Sequence, residues 1–224
     1  MARRATLPMV EAHAPPPHLS RADFPLAPGS VEPWAPGRLG IDPWTILRLS
    51  RYTRRDAVAP AIWETARRMA ARAEALAEPR ALLAVVQPGT GRPRFSGRAV
   101  ASLLSGCPVA VAFVLTLGPQ LEGEVAALAE RRELLESFLL DTAGWGAIEA
   151  AVRALRLDLR ARLGPAGWRV THRLAPGYAD WPIEEQAALL DLFAGAEPPA
   201  RLSAHGVLVP FKSITGLFGL APPR

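Results

Sequence analysis

Two segments near the C-terminal end carry side chains whose types and spacing suit ligand chemistry: Arg173-Leu174-Ala175-Pro176-Gly177-Tyr178, and Pro210-Phe211-Lys212-Ser213-Ile214-Thr215-Gly216. Lys212 is the single lysine among 26 basic residues. A lone lysine can be left by drift, but here it also stands in one of these two segments. A guanidinium meets a carboxylate through two parallel hydrogen bonds, whereas an ammonium is a compact charge with rotatable donors, so Arg173 and Lys212 cannot exchange roles. Between Arg173 and Tyr178 the chain is uncrowded: Pro176 stiffens it and Gly177 permits an unusual φ. Tyr178 adds a flat apolar face with a polar tip. Pro176-Gly177 alone reads as a turn; with the downstream segment it reads as a place where a ligand lies along the main chain.

These side chains need elements to hold them. Residues 168–172 predict a strand that delivers Arg173, Pro182 opens a predicted helix through Phe193, and two short strands are predicted around Pro210. Upstream, Ile62, Ala66, Met69, Ala73 and Leu76 recur at helical spacing and predict a helix over residues 60–78, with Arg67, Arg68, Arg72 and Glu74 on its other face. Residues 81–87 predict a strand closed by Pro88-Gly89-Thr90-Gly91, and residues 109–116 a buried strand. Gly118-Pro119 opens another helix. A longer one is predicted over residues 133–163, ended by Gly164-Pro165. Gly144 and Gly146 flank Trp145 inside it, although each Gly costs about 1 kcal/mol against Ala in a helix interior. They mark either a tight crossing or kink, or a place where a ligand or partner backbone comes close. Strands and helices do not alternate strictly, which favours an α+β fold with antiparallel pairing over a doubly wound sheet. No period of twenty to fifty residues repeats, which argues against a solenoid.

The 224 residues suffice for one domain with a real core. Of the 23 prolines, a cluster falls in residues 1–40, which read as a flexible arm ahead of a single domain over residues 41–224. The net charge of +5 raises nucleic acid as a partner, but the arginines are spread over helices beside Asp and Glu, as on a solvated surface. Cys107 is the one cysteine, so no internal disulfide is possible; it reads as a small buried hydrophobe. The basic start lacks the apolar stretch of a signal peptide, and the longest apolar run is far short of the about 20 residues that span a bilayer. A soluble cytoplasmic protein is expected. His13, His18, His172 and His205 show no metal-ligand spacing with Cys107. Walker, dinucleotide and nucleophile-elbow motifs are absent, and Ser213 has no evident His partner.

The two segments, in this order and spacing, resemble the activation domain of cobalamin-dependent methionine synthase, in which an Arg-x-x-x-Gly-Tyr segment precedes a Pro-x-Lys-Ser-x-Ser/Thr-Gly segment. The resemblance extends through Thr116-Leu117-Gly118-Pro119 and Leu140-Asp141-Thr142-Ala143-Gly144 to Glu149. It runs from about Ile41 to the C-terminus and is strongest after Val109. It implies a twisted antiparallel β-sheet with packed helices in an open C shape, and S-adenosylmethionine as ligand. The site it implies contains Arg173 for the carboxylate, Ala175, Gly177 and Tyr178 along the ligand, Lys212, Phe218 and Gly219 from the downstream segment, and Glu149, either on the ammonium or simply solvated. Asp42 matches an acidic residue near the family's N-terminal end.

In that family, S-adenosylmethionine methylates cobalamin that an external donor has reduced from an inert oxidised state. This chain lacks the Asp-x-His-x-x-Gly segment of corrinoid domains, so cobalamin is expected on a partner chain: a methionine synthase subunit or similar corrinoid protein, with a flavodoxin-like electron donor. Where relatives often have Leu-Thr-Glu-Ser, this chain has Leu202-Ser203-Ala204-His205, which puts a role for that loop in doubt. The rival reading is a non-catalytic S-adenosylmethionine-binding or scaffold protein that docks on a corrinoid partner; a basic nucleic-acid binder is disfavoured because no aromatic-interleaved basic motif is present.

Overall fold

At the centre is β3, Val109–Thr116, eight residues that are all buried. Apart from Thr116 at its end, its side chains are apolar towards both faces, as a strand covered on both sides requires. The structure, a computed structural model, describes residues 29–89 and 95–223. Their helices and strands are β1 (Val31–Trp34), α1 (Pro43–Leu49), α2 (Pro60–Leu76), β2 (Arg80–Val86), α3 (Arg98–Leu104), β3, α4 (Gln120–Glu130), α5 (Leu134–Leu163), β4 (Arg169–Leu174), α6 (Gln186–Leu190), β5 (Arg201–Leu202), β6 (Leu208–Val209) and β7 (Ser213–Ala221).

Five strands form one sheet in the order β1-β2-β3-β7-β4, every neighbouring pair antiparallel. The fold is α+β, as the sequence predicts. On one face the odd-numbered β3 residues from Val109 to Leu115 pack with apolar residues of α1, α2, α4 and α5 into the larger core, where Phe113 and Phe218 stack with ring centroids 5.2 Å apart. On the other face Ala112, Val114 and Leu217 meet a smaller cluster built from α3, Trp181, Leu189 and Phe193.

Three elements differ from the sequence expectation. The second strand near Pro210 is β7, nine residues long and lying between β3 and β4. Gly216 and Gly219 look like breakers, but a Cβ on Gly216 would stand 2.8 Å from Phe113 and from the Leu174 carbonyl, and one on Gly219 would stand 2.9 Å from Cys107 Sγ. These glycines let neighbouring layers close on the strand. The predicted helix after Pro182 is three short pieces, a 3₁₀ turn at Ile183–Glu185, then α6, then a 3₁₀ turn at Asp191–Phe193; burial of Leu189 and Phe193 fixes their path.

The third difference concerns the boundary at residue 40. Val31–Trp34 pairs with β2 as the sheet's edge strand, so the folded domain begins before residue 41; residues 1–28 lie outside the described residues. Glu32 pairs with Arg162 at 2.7 Å, Arg38 with Glu74 at 2.9 Å, and Trp34 and Leu39 pack against the larger core. Removing residues 1–40 is therefore expected to cost about 3 kcal/mol, the low end for losing a large aromatic because Trp34 is half-buried, and to lower Tm by roughly 6–12 °C. Thermal melts read this directly, and an unchanged Tm would return the boundary to residue 41.

Candidate functional site

Arg173 owes its direction to an irregularity in β4. Val170 pairs with Leu220 of β7 and Arg173 with Phe218, so three steps along β4 match two along β7. The extra residue is a β-bulge, and it reverses the alternation of side chains. With regular pairing Val170 and Arg173 would face opposite sides of the sheet; with the bulge both face α5. The polar groups that the bulge frees are satisfied locally. Arg156 of α5 donates to the carbonyls of Thr171 at 2.5 Å and Val170 at 3.3 Å, and the Gly219 N–H donates to Thr171 Oγ1 at 2.9 Å.

So aimed, the Arg173 guanidinium meets Glu149 of α5, Nη2 to Oε1 at 3.0 Å, and its carbon lies 5.3 Å from the centre of the Tyr178 ring. The Arg173 side chain is 16% exposed and that of Glu149 53%. Nη1 is buried and has no hydrogen-bond partner among the described residues. Half of the guanidinium fork thus holds a carboxylate and half holds nothing, an unusual condition because an unpaired buried donor carries a desolvation cost of about 1–3 kcal/mol.

The segment that presents Tyr178 is a tight turn. The Tyr178 N–H donates to the Ala175 carbonyl at 3.1 Å, with Pro176 and Gly177 central and Gly177 at φ +85°, the signature of a type II turn. Gly177 N–H is taken by the Trp181 carbonyl at 2.9 Å. The amides of Gly177 and Tyr178 are therefore used inside the loop, while Tyr178 itself is 52% exposed.

Beyond the turn, Ala179-Asp180-Trp181-Pro182 is an anchor. Asp180 accepts from the N–H groups of Arg98 and Ala99 at 2.7 and 2.9 Å and so caps α3 from a distant part of the chain. Donation by the Ala99 and Arg98 amides holds its carboxyl below the usual carboxylate range. Gly97 makes room for it, since a Cβ there would stand 2.7 Å from the Asp180 carbonyl oxygen. Trp181 is buried and donates from Nε1 to Glu185 at 2.8 Å, and Glu185 also accepts from the Ser96 N–H at 2.9 Å and from its hydroxyl.

Lys212 is 1% exposed and its ammonium lies 2.7 Å from Asp141 Oδ1, a carboxylate 41% exposed. The ammonium also stands 4.3 Å from the centre of the Trp145 ring and 5.1 Å from that of Phe211, faces that attract a cation. Its aliphatic stem crosses α5 at Gly144, where a Cβ would stand 2.8 Å from Lys212 Cε. The neighbour that Gly144 admits is this lysine. Gly146 has a different role: a Cβ there would meet only Thr45 at 3.8 Å, ordinary contact.

The motif upstream of α4 holds the same loop. Leu117 N–H donates to the Lys212 carbonyl at 2.9 Å, Phe211 N–H donates to Glu122 at 2.7 Å, and Ser213 Oγ lies 2.8 Å from Thr116 Oγ1.

Asp141, Trp145 and Glu149 fall at i, i+4 and i+8 and so share one edge of α5. They carry the Lys212 group and the Arg173 group about 12 Å apart along the axis. Phe218 lies beside Arg173 in the sheet, but its ring is fully buried on Phe113. Gly219 faces Cys107 and α3. Ala175 is buried at the start of the turn. Asp42 caps α1, accepting from the Trp44 and Thr45 amides. The sequence reading passed over Asp180 and Glu185 as anchors, and the bulge as the device that aims Arg173.

Among solved structures the chain is similar to the MetH reactivation domain bound to AdoHcy, with a TM-score of 0.61 and 15% sequence identity over 87% of this chain and 79% of that one. At that identity the likeness is one of fold. No family model matches the chain, and no curated protein matches it. Among the described residues no helix is long and apolar enough to cross a membrane.

Two outcomes follow from these contacts. Asp141→Asn leaves a buried ammonium without its anion and is expected to cost about 2–3 kcal/mol, below the full range for a buried pair because Asp141 is part-exposed. Adding Lys212→Met should recover most of that loss, and a denaturant-melt cycle in which the two changes simply add would remove the pairing. Asp180 has a depressed folded-state pKa, so its contribution is complete above the unfolded value of about 3.9 and is lost as pH falls through the lower folded value. Amide-exchange protection of Arg98 and Ala99 should fall in that acid window, and at neutral pH in Asp180→Ala; protection unchanged in both would show that α3 does not depend on this cap.

Proposed function

We propose that this chain binds S-adenosylmethionine at the Arg173, Glu149 and Tyr178 group and supports the reductive methylation of cobalamin in a methionine synthase or similar corrinoid methyltransferase on another chain. The observation that carries the reading is the buried, unpartnered Nη1 of Arg173, half of a fork that suits an α-carboxylate. The fold likeness to a reactivation domain that binds AdoHcy supports it independently.

The residues present fit the ligand. Arg173 Nη1 takes the carboxylate, and Glu149, held beside it, accepts from the α-ammonium. Tyr178, whose ring centre lies 5.3 Å from the Arg173 guanidinium carbon, lies along the ligand. Ala175 and Gly177 keep the turn thin there. When bound, S-adenosylmethionine supplies a methyl group on a sulfonium centre. The chain's own contribution is placement, holding the ligand by its amino-acid end so that the methyl is presented to an acceptor on the partner. Lys212 acts at one remove: buried on Asp141, it fixes the loop beside Trp145 and Phe211. The partner is a cobalamin-binding subunit, with a flavodoxin-like protein as reductant.

Calorimetry with S-adenosylmethionine tests the site. Arg173→Ala removes a charge-assisted bond and should weaken binding by about 1.5–3 kcal/mol, roughly 10- to 150-fold. Wild-type affinity in that variant would remove the carboxylate assignment. With a corrinoid protein and a low-potential reductant, wild-type chain should yield methylcobalamin and Arg173→Ala should not. Binding without any methylcobalamin from wild type would instead favour the non-catalytic reading.

A further inference from the structure

Arg156 stands seven residues beyond Glu149 on α5, two turns and about 10 Å along the axis, so the two side chains leave the helix along one line. Both reach β4. Glu149 meets Arg173 there, whereas Arg156 meets no carboxylate among the described residues and donates to the carbonyls of Thr171 at 2.5 Å and Val170 at 3.3 Å. Burial, and then the charge of Arg160, pull its pKa below the usual arginine range, so this seat does not favour the cation as such. What the seat uses is geometry. A guanidinium is a planar fork that reaches two successive carbonyls at once, and these two belong to the step at which β4 leaves regular pairing with β7.

We propose that Arg156 is a positioning residue for the ligand site: by holding the bulge from the helix side, it decides which side chain of β4 faces Glu149. If β4 ran on from Val170 in regular register, His172 would stand opposite Phe218 and face α5, and Arg173 would stand opposite Leu217, on the side of the smaller cluster. The bulge exchanges them, leaving His172 exposed and Arg173 on Glu149. Thr171 holds the same bulge from within the strand, its Oγ1 accepting from the Gly219 N–H at 2.9 Å. A strand clamped in this way keeps one register, whereas a slip of one residue turns every side chain over. The consequence for a carboxylate rests on the reading of Arg173 as its anchor; the aiming of Arg173 does not.

Two measurements on the full chain test the two statements separately. Without ligand, the Arg173 guanidinium carbon lies 5.3 Å from the centre of the Tyr178 ring, so Tyr178→Leu should move the Arg173 Nε–H resonance in the NMR spectrum. In an Arg156→Met background the same change should leave that resonance in place. Arg156→Lys, a milder change that keeps the charge and lacks the fork, should at least halve the shift and serves if Arg156→Met does not fold. Calorimetry with S-adenosylmethionine and its decarboxylated analogue then reads the consequence: the Arg156 variant should bind the first at least ten-fold more weakly and the second within two-fold of wild type, a selectivity that general loosening of the fold does not produce. A wild-type chain that fails to distinguish the two ligands, with the resonance shift lost in the Arg156 variants, would remove the carboxylate reading and uphold the positioning role. A Tyr178-dependent shift that survives in full in the Arg156 variants, or equal weakening of both ligands, would overturn the proposal.

Discussion

The Lys212 ammonium, fully buried, has to be satisfied wherever it lies, and much of the site's shape follows from that requirement. A charge removed from water carries a desolvation penalty of several kcal/mol unless an opposite charge and suitable dipoles receive it. Asp141 supplies the charge, Trp145 and Phe211 supply ring faces, and Gly144 supplies the passage. Asp141, Trp145 and Gly144 are set by helix α5, and Phe211 by the loop before β7. Once the lysine is seated, the loop is held from the other side by Leu117, Glu122 and Thr116. The ammonium is thus a fastening between α5 and the sheet, and its position settles where the edge of α5 stands relative to β4.

Glu149 lies on that same edge, two turns further on, and it can meet Arg173 only because β4 carries one residue too many. The bulge turns the guanidinium from the smaller cluster to the face of α5. Thr171, Arg156 and Gly219 absorb the unpaired polar groups that a bulge creates. The outcome is an arginine held by one nitrogen, with the other buried and unpartnered among the described residues. On the proposed reading, a side chain held in this way loses little freedom when a carboxylate binds, which is how preorganisation favours binding. Tyr178 stands over it on a turn whose own amides are already occupied, and that turn is tied through Asp180 and Trp181 to α3 and Ser96.

How much of this was legible in the sequence varied with the physics involved. Periodic apolar residues make α2 readable, unbroken apolar runs β2 and β3, and a long segment closed by Gly164-Pro165 α5, and the α+β class with them, because burial acts on every turn or pleat of a long element. The Arg173 to Tyr178 and Lys212 segments stood out by residue type. The short strand the sequence predicts after Pro210 understates β7, since Gly216 and Gly219 weaken a strand locally, and only the packing of Phe113 and Cys107 against them shows why they are glycine. β1 was lost inside a proline-rich stretch, as its support comes from Glu32 and Trp34 meeting partners far along the chain. The bulge has no local signature, because it is a relation between two strands. The sequence marks Lys212 by its residue type, yet its partner Asp141 lies 71 positions away, a distance over which spacing says nothing. Gly144 carried a correct signal of close approach without naming the visitor.

The central claim is that Arg173 receives the carboxylate of S-adenosylmethionine, and the most direct measurement compares that ligand with its decarboxylated analogue on the wild-type chain and on Arg173→Ala. Both compounds carry the same adenosyl and sulfonium groups, so a difference between them reports the carboxylate contact alone. The account predicts that wild type binds the analogue at least ten-fold more weakly than S-adenosylmethionine, and that Arg173→Ala binds the two within about two-fold of each other, since the charge-assisted contact of about 1.5–3 kcal/mol is gone in both cases. Equal affinities for the two ligands on the wild-type chain would contradict it.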